Sequence, residues 1–587
     1  MTGPIEREWT LLSPDPGLVR ELSRRHGLTA PAAKALANRG ITDPREAEIF
    51  LRGTLADLPD PSLLDDVDKA AERLVAAGVR GEPVLIYADY DADGATGAAC
   101  IFLFLKEVFP DLPVRIHQND RLRDGYGLQA RVLSDAFREG YRLVVTVDCG
   151  ITDCAQIREV SGKGMEVIVT DHHLPGEELP VACAVVDPHR RDCGFAEKDL
   201  AGVGVAFLLL CGIRKRLRET GFFEHRTEPV MRRYLDLVAL GTVADMVPLA
   251  ASNRPLVREG IREIRKSARP GVEALFAVSG VSTALATESD LGYRVGPRLN
   301  AAGRIGDSSR SSRILVSNDR EESARLAREL NEDNMRRQRE QERILSDVVA
   351  GIEVNLALPH AIVLSDPGWH QGVLGIVASK ILDRYGRPVV LLREDAGQAT
   401  GSCRSIEGFP IVSALSELSH LLTRYGGHTQ AAGVALALEN LEPFRKGLSE
   451  IAARHAEAAP FVLRRTIDAE IRLDDVGAAL LADLELMRPF GAGNPEPVFL
   501  MKNVRVARAS RVGGSGQHLR FELEEDGKRV EGVAFHRVGI PADPSRRSDL
   551  LVSVQENVFR GVRTVRLLLK DARESGRPIL CAGMPPG

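Results

Sequence analysis

The chain has 587 residues, 44% of them apolar and 27% charged, with a formal net charge of −5. That length predicts roughly three to five domains, and the balance describes a globular protein with ample core. It excludes a uniformly basic nucleic-acid coat while leaving local basic patches open, and the excess of arginine over lysine suits bidentate phosphate binding or reflects base composition.

The eight cysteines are scattered without a Cys-x-x-Cys pair, which argues against a zinc ribbon or disulfide framework and for a reducing cytosol. Met1 to Glu6 shows no basic region followed by an apolar one, so no signal peptide is expected. Apolar runs such as Ala206 to Ile213 are too short to span a bilayer. A cytoplasmic protein is expected.

Residues 1–80 carry helical spacing at Leu18, Val19 and Leu22, at Ala32 to Leu36 and at Ala47 to Leu51. Gly and Pro punctuate them, predicting a helical segment that packs on the α/β domain C-terminal to it. From about residue 82 to about 190 the pattern alternates strand and helix. Strands are predicted at Val84 to Ala88, Val114 to His117, Leu143 to Val147, Val167 to Thr170 and Ala184 to Val186, with helices including Leu128 to Gly140 and Asp153 to Gly164. This is the signature of a doubly wound parallel sheet, in which ligands bind beyond the carboxyl ends of the strands.

Polar residues fall at those ends. Asp89, Asp91 and Asp93 follow the first strand, Asp148 follows Val147, Asp171-His172-His173 follows Thr170, and Asp187 follows Val186. Three carboxylates at alternate positions between apolar segments are costly unless a cation neutralises them. In extended backbone, Asp89 and Asp91, or Asp91 and Asp93, face one side. A helical stretch from Met231 to Leu240 leads to Asp245, alone among apolar neighbours. Singly, each suits a structural role: Asp148 caps a strand, Asp187 turns before Pro188, and Asp245 caps a helix or pairs with an arginine. Arriving together from separate strands, they favour a metal site. Carboxylates with imidazole and no thiolate select Mn²⁺ or Mg²⁺, and an Asp148 able to bridge is what a two-metal site requires. Asp171, His172 and His173 are successive and cannot all reach one ion, so His172 is the expected ligand and His173 supports a phosphate or a neighbouring ligand.

Downstream come an Arg- and Gly-rich stretch, Leu291 to Arg304, and one long charged helix from about Asp319 to Ile352, either an inter-domain bridge or a solvated coiled-coil arm. A second α/β unit follows over about 358–460, with strands at Ala361 to Leu364 and Pro388 to Leu392 and a helix at Gly375 to Arg384. Gly401 to Ser405 and Gly426 to Gly433 read as its distinctive loops. From about 463 to 575 the chain is mostly β, with strands at Phe499 to Ala507, His518 to Leu523, Val530 to His536, Leu550 to Val554 and Thr564 to Lys570. Five or so strands suit a small barrel, made locally basic by Arg505, Arg508, Arg511, Arg520, Arg537, Arg560, Arg563 and Arg566. A loose tail is expected after Gly576.

Asp89-Tyr90-Asp91-Ala92-Asp93-Gly94, Val147-Asp148-Cys149-Gly150, Asp171-His172-His173 and Gly241-Thr242-Val243-Ala244-Asp245 resemble the four signature motifs of the DHH phosphoesterases. The stretch from Gly426-Gly427-His428 to Gly433 resembles the glycine-rich motif of the DHHA1 domain. Arg121 to Leu128, Trp369 to Ser379 and Pro489 to Pro497 are similar to stretches of the RecJ family within that superfamily. The match runs in order over nearly the whole chain. One departure is Asn119-Asp120 before Arg121, where the family commonly has a Pro-containing dipeptide.

The resemblance implies two α/β domains, DHH (81–317) and DHHA1 (354–460), joined by a long helix (318–353). A helical segment (1–80) precedes them, and a C-terminal OB-fold β-barrel (461–575) and a tail (576–587) follow. It implies a single-stranded-DNA-specific 5′-to-3′ exonuclease that uses two divalent cations, Mn²⁺ or Mg²⁺, and releases mononucleotides in DNA repair and recombination. Carried over residue by residue, the ligands are Asp89, Asp91, Asp148, His172 and Asp245, with His173 in the catalytic set. The family's 5′-phosphate pocket falls on Arg121, Arg304, Ser402 and Arg404, with His428 near the substrate backbone. A narrow groove between the two α/β domains would exclude duplex, and Phe521, Phe535 and Phe559 are candidate stacking platforms in the barrel. A monomer working with a single-strand-binding protein and a RecQ-type helicase is the family expectation. Two other readings are a DHH phosphodiesterase acting on short oligonucleotides or cyclic dinucleotides, and a non-catalytic nucleic-acid-binding protein.

Overall fold

The computed structural model describes residues 7–121, 123–353, 358–512, 518–535, 547–559 and 562–582. The chain forms two compact units. The larger comprises Thr10–Gly303, Asp307–Asn331 and Thr466–Gly587; the smaller comprises Met1–Trp9, Arg304–Gly306 and Glu332–Arg465. No described helix is long and apolar enough to cross a membrane.

The larger unit is built on a parallel sheet of β1 (Val84–Ala88), β2 (Val114–Gln118), β3 (Leu143–Val147), β4 (Glu166–Thr170) and β5 (Ala184–Val186), in the order β2-β1-β3-β4-β5. Every residue of β1 and β3 is buried, as their unbroken apolar runs require of strands covered on both faces. The order is that of a doubly wound sheet whose direction of winding switches between β1 and β3, the place where such sheets bind ligands.

Among the described residues, four α-helices precede this sheet: α1 (Pro16–His26), α2 (Ala30–Ala37), α3 (Pro44–Arg52) and α4 (Val67–Arg80). The end of α3 meets the first α/β domain through the carbonyls of Phe50 and Gly53, which accept from Arg254 and Arg258, and α4 packs on that domain with its apolar stripe. Its Val67, Ala70, Leu74 and Ala77 join the core of the sheet. Leu22, Leu36 and Leu51 of α1 to α3 instead share a core with Ala469, Met487, Phe499, Phe521 and Leu550 of the C-terminal β section. The apolar stripe of each helix is legible in the sequence; the surface it covers is not.

Helices α5 (Ala92–Val108) and α6 (Gly202–Glu219) pack on the sheet. They are followed by α7 (Leu235–Asp245) and α8 (Asn253–Ser267). Asp245 is therefore the last residue of a helix rather than part of a connection, and Met246 after it turns the chain at φ 63°.

One helix, α9, runs unbroken through Arg320–Glu353, a length of about 50 Å at 1.5 Å per residue. It is not a solvated arm. Leu326, Ala327 and Leu330 enter the core of the larger unit, and Ile344, Val348 and Ile352, one turn apart, enter a core of the smaller.

The smaller unit holds a mixed sheet of β6 (Ile362–Asp366), β7 (Val389–Asp395), β8 (Gln398–Arg404), β9 (Arg424–Gly427) and β10 (Ala431–Ala437), with α10 (Gln371–Tyr385) beside it. The sheet order is β9-β10-β8-β7-β6. Two expected loops are strands here. Ser402 and Arg404 lie on β8, and the glycine-rich stretch is a hairpin, β9 to β10, with His428 at its turn. Gly401 explains the first: a Cβ there would fall 1.8 Å from the carbonyl oxygen of Leu391 on β7, so the glycine serves close strand pairing rather than a loop.

Among the described residues, the C-terminal β section forms one seven-stranded sheet. Its longest pairing joins Ser548–Phe559 to Val562–Glu574, and it belongs to the larger compact unit rather than standing apart. Phe521 is 1% exposed and is core, not a platform, whereas Phe535 is 47% exposed beside His518. Arg505, Arg508 and Arg511 are exposed, and Arg520 is paired with Glu531. His536, Arg537, Arg560 and the side chains of Phe559 and Arg563 lie outside the described residues.

Candidate metal centre

The chain leaves β1 at Ala88 and must turn at once into α5. Asp91 makes that turn: its Oδ1 accepts from the backbone N–H of Asp93 (2.9 Å) and Gly94 (3.1 Å), an N-cap that leaves its second oxygen uncommitted. Gly94 is needed because a Cβ there would sit 2.5 Å from the carbonyl oxygen of Asp89. Asn300 fixes the same turn from outside, its Oδ1 accepting from the N–H of Ala92 at 2.8 Å.

Asp148, just beyond β3, has φ 61°, a left-handed conformation in which Asp and Asn are enriched among non-glycine residues. Gly202, at the start of α6, lets it stay there, since a Cβ at 202 would come 2.9 Å from that of Asp148. Asp93 has a structural task. Its two oxygens accept from the N–H of Gly202 (2.7 Å) and Val203 (2.9 Å), capping α6.

Asp89, Asp91 and Asp148 bring ligand atoms within 4.8 Å of one another, as do Asp148, His172 and His173, and Asp93, His172 and Asp245. His172 Nε2 lies 3.1 Å from Asp148 Oδ1 and 3.6 Å from Asp245 Oδ2. Asp89 Oδ1, Asp148 Oδ1 and His172 Nε2 are buried without a hydrogen-bond partner. Burial without partners is expensive for such groups. It shows in their acidity: burial first, and then repulsion from Asp91, holds Asp89 well above the usual carboxylate range. Burial and then Asp93 do the same to Asp148. Asp245 is pushed up to about 7 by burial and by Asp91. Burial, with His173 beside it, lowers His172 to about 4, leaving a neutral imidazole.

Asp171 is the organising residue that the motif pattern alone does not single out. It is fully buried and accepts from the N–H of Ile151 (3.0 Å), His172 (2.8 Å) and His173 (3.2 Å). The Nδ1 of His173 lies 2.8 Å from its Oδ1. Burial opposes charge on His173, and the Asp171 hydrogen bond overrides it, raising His173 to about 9. The two histidines thus diverge: His172 turns inward among the acids, and His173 turns toward Tyr126, whose hydroxyl is 3.3 Å from its Nδ1. Tyr126 sits in the Arg121 to Leu128 stretch, and its place there is the only sequence signal for it. Asp187 is buried with Oδ1 accepting from the N–H of His189 at 2.7 Å and belongs to none of the three clusters.

The residues expected to hold phosphate are distributed over both units. Arg121, in the larger, lies with its guanidinium carbon 5.1 Å from the ring centroid of Tyr90. The atypical Asn119 orders this loop: its Nδ2 donates to the carbonyls of Gly125 and Gly127, and its Oδ1 accepts from Tyr87. Arg304, Ser402, Arg404 and His428 are in the smaller unit. Ser402 and Arg404 converge over Gly375 of α10, where a Cβ would meet Arg404 Nη2 at 2.9 Å and Ser402 Oγ at 3.4 Å. Arg404 Nε donates to Ser379 Oγ at 3.2 Å. Arg304 Nη1 donates to the carbonyl of Gly372, one turn from Gly375, at 3.2 Å. His428 is exposed at its hairpin turn.

Three family models match the chain: the DHH family, N-terminal domain over residues 83–242, the DHHA1 domain over 358–454, and the RecJ OB domain over 467–571. A "Single-stranded-DNA-specific exonuclease RecJ" of Dickeya dadantii is 37% identical over 567 residues, covering 92% of this chain and 96% of the relative. RecJ from Thermus thermophilus in complex with Mn²⁺ superposes with a TM-score of 0.81 at 33% identity, over 98% of this chain and 80% of that one. The same protein in complex with Mg²⁺ gives 0.75 at 31% identity, over 98% and 79%. With all three domain models in order and this identity over nearly its full length, the chain belongs to the RecJ family of single-stranded-DNA-specific exonucleases.

Proposed function

We propose that this chain degrades single-stranded DNA from the 5′ end, releasing mononucleotides, with two divalent cations, Mn²⁺ or Mg²⁺, held by Asp89, Asp91, Asp148, His172 and Asp245. The observation that carries this reading is the set of buried, unpartnered oxygens and nitrogen on Asp89, Asp148 and His172 at the switch point of the sheet. Oxygen donors with one imidazole fit those cations. Bound there, they supply Lewis acidity to the phosphodiester and lower the pKa of water.

The chain's own residues do the rest. Asp148, fixed by its backbone and by Gly202, shares one cluster with Asp89 and Asp91 and another with His172, and would be the ligand common to both cations. His173, pinned at Nδ1 by Asp171 and protonated at neutral pH, would offer its other ring nitrogen to a phosphate oxygen. Ser402 and Arg404 over Gly375, with Arg304, form an anion cradle assigned to the 5′ phosphate. Arg121 supplies a further phosphate contact, and His428 meets the strand's backbone. The exposed arginines 505, 508 and 511 and Phe535 suit single-strand binding on the OB domain. The family resemblance extends the reading to a monomeric cytoplasmic enzyme of DNA repair and recombination, working with a single-strand-binding protein and a RecQ-type helicase.

The test is hydrolysis of one end-labelled strand offered with a 5′ phosphate, with a 5′ hydroxyl, as duplex and as RNA. The 5′-phosphorylated single DNA strand is expected to be cut fastest, from its 5′ end. Equal rates for phosphate and hydroxyl ends would remove the cradle, and degradation from the 3′ end would remove the polarity.

A further inference from the structure

A cavity of about 340 Å³ opens in the larger unit between the end of α3, one face of α8 and residues 485–489. Its walls include five arginines, at 52, 258, 262, 265 and 488, and two glutamates, Glu288 and Glu485. None of the acidic-cluster residues lines it.

The charges do not cancel. Both glutamates are already ion-paired with Arg488. Arg262 pairs with Glu259, which Arg232 also engages, and Arg52 pairs with Glu48, which is also in contact with His26. Arg258 and Arg265 make no ion pair among the described residues. Arg258 donates to the carbonyls of Phe50, Gly53 and Arg488, and Arg265 to that of Ala286. On α8, positions 258, 262 and 265 fall on one stripe, and Arg254, one turn earlier, is buried against four carbonyls, two of which, those of Phe50 and Arg488, it shares with Arg258.

Like charges three and four residues apart on a helix repel, and more so facing a partly enclosed space than facing water. Burial lowers the pKa of Arg258, and its neighbour Arg262 adds to the effect. Arg254 explains itself as a clamp joining α8 to the chain around Phe50 and Arg488. Arg262 and Arg265, further along the stripe, hold nothing of comparable structural weight. A volume in the range of small-molecule sites, with guanidinium groups suited to bidentate oxyanion binding, selects the ligand class.

We propose that this cavity binds a phosphate-bearing ligand of mononucleotide size, either a free nucleoside monophosphate or one nucleotide unit of a bound strand. The site is distinct from the acidic cluster and from the cradle over Gly375.

The two sources separate in one set of titrations on the full chain in EDTA. In an Arg404→Ala background, which weakens the other anion site, dAMP is titrated by calorimetry. An oligo(dT) strand is titrated by fluorescence anisotropy over a range of salt. Arg262→Glu and Arg52→Glu are then added; both side chains are substantially exposed, and retention of the melting transition checks the fold. A free nucleotide predicts one-to-one dAMP binding that weakens at least tenfold in the added variant. A strand predicts little dAMP binding but a slope of log K against log salt shallower by about 0.7 for each phosphate no longer neutralised. Unchanged dAMP affinity together with an unchanged slope would overturn the proposal. Should the doubly reversed protein not fold, Arg262→Gln alone carries the same three outcomes at smaller amplitude.

Discussion

Asp148 combines a left-handed backbone, burial and membership of two clusters, one with Asp89 and Asp91 and one with His172 and His173. Alanine is a poor probe there, because it adds about 1–2 kcal/mol of backbone cost to the missing carboxylate. Asn tolerates the same conformation. Asp148→Asn is therefore expected to keep the circular dichroism spectrum and strand binding while losing Mn²⁺-dependent hydrolysis. Retained hydrolysis would remove Asp148 from the ligand set. Asp171 acts one step back, through the two histidines that it orders. Asp171→Asn is expected to cost about 10–100-fold in activity or metal affinity, as losing a support of a metal ligand does, and a full-rate variant would leave the assignment of His173 without its anchor. The first motif's division of labour is partly legible in the sequence, which leaves Asp93 out of the ligand set; in the structure Asp93 caps α6. The helix it caps starts more than a hundred residues away, and nothing in local spacing announces such a cap.

At the scale of elements, the strand-end positions of the acids are readable because a parallel sheet buried on both faces writes itself as unbroken apolar runs, and polar residues can only follow them. Ser402, Arg404 and the glycine-rich stretch read as loops in the sequence and are strands in the structure, because glycine signals both turns and close strand pairing. Gly375 carries a test of the cradle. A methyl at that position meets the flexible end of Arg404 rather than backbone, so Gly375→Ala should fold normally. The 5′-phosphorylated strand should then lose its advantage over the 5′-hydroxyl strand, and an unaltered preference would place the 5′ phosphate elsewhere. The helices α1 to α3 offer another test. Leu36 is fully buried in the core shared with the β section, so Leu36→Ala should cost about 2–5 kcal/mol in denaturant unfolding. A change within error would mean that those helices are not integral to that core. Amphipathic periodicity identifies a buried stripe but not its partner, which is why the sequence alone packs all of residues 1–80 on the α/β domain that follows.

Across the whole molecule, the acidic cluster couples folding to metal and pH. Burial and mutual repulsion raise Asp89, Asp148 and Asp245, the last to about 7, above the ordinary carboxylate value of about 4. Between those values the metal-free fold binds protons that the unfolded chain has released, so its stability falls as pH rises through the window. Cation binding requires the ionised carboxylates and reverses this. The gain in Tm on adding Mn²⁺ should therefore grow from about pH 5 to about pH 7, and a gain independent of pH would mean that these carboxylates do not bind the ion. The most direct measurement is anomalous scattering from crystals of this chain soaked in Mn²⁺. Two peaks about 3.5–4 Å apart, touching Asp89, Asp91, Asp148, His172 and Asp245 with Asp148 between them, are predicted. A single peak, or peaks at other residues, would contradict the two-cation centre.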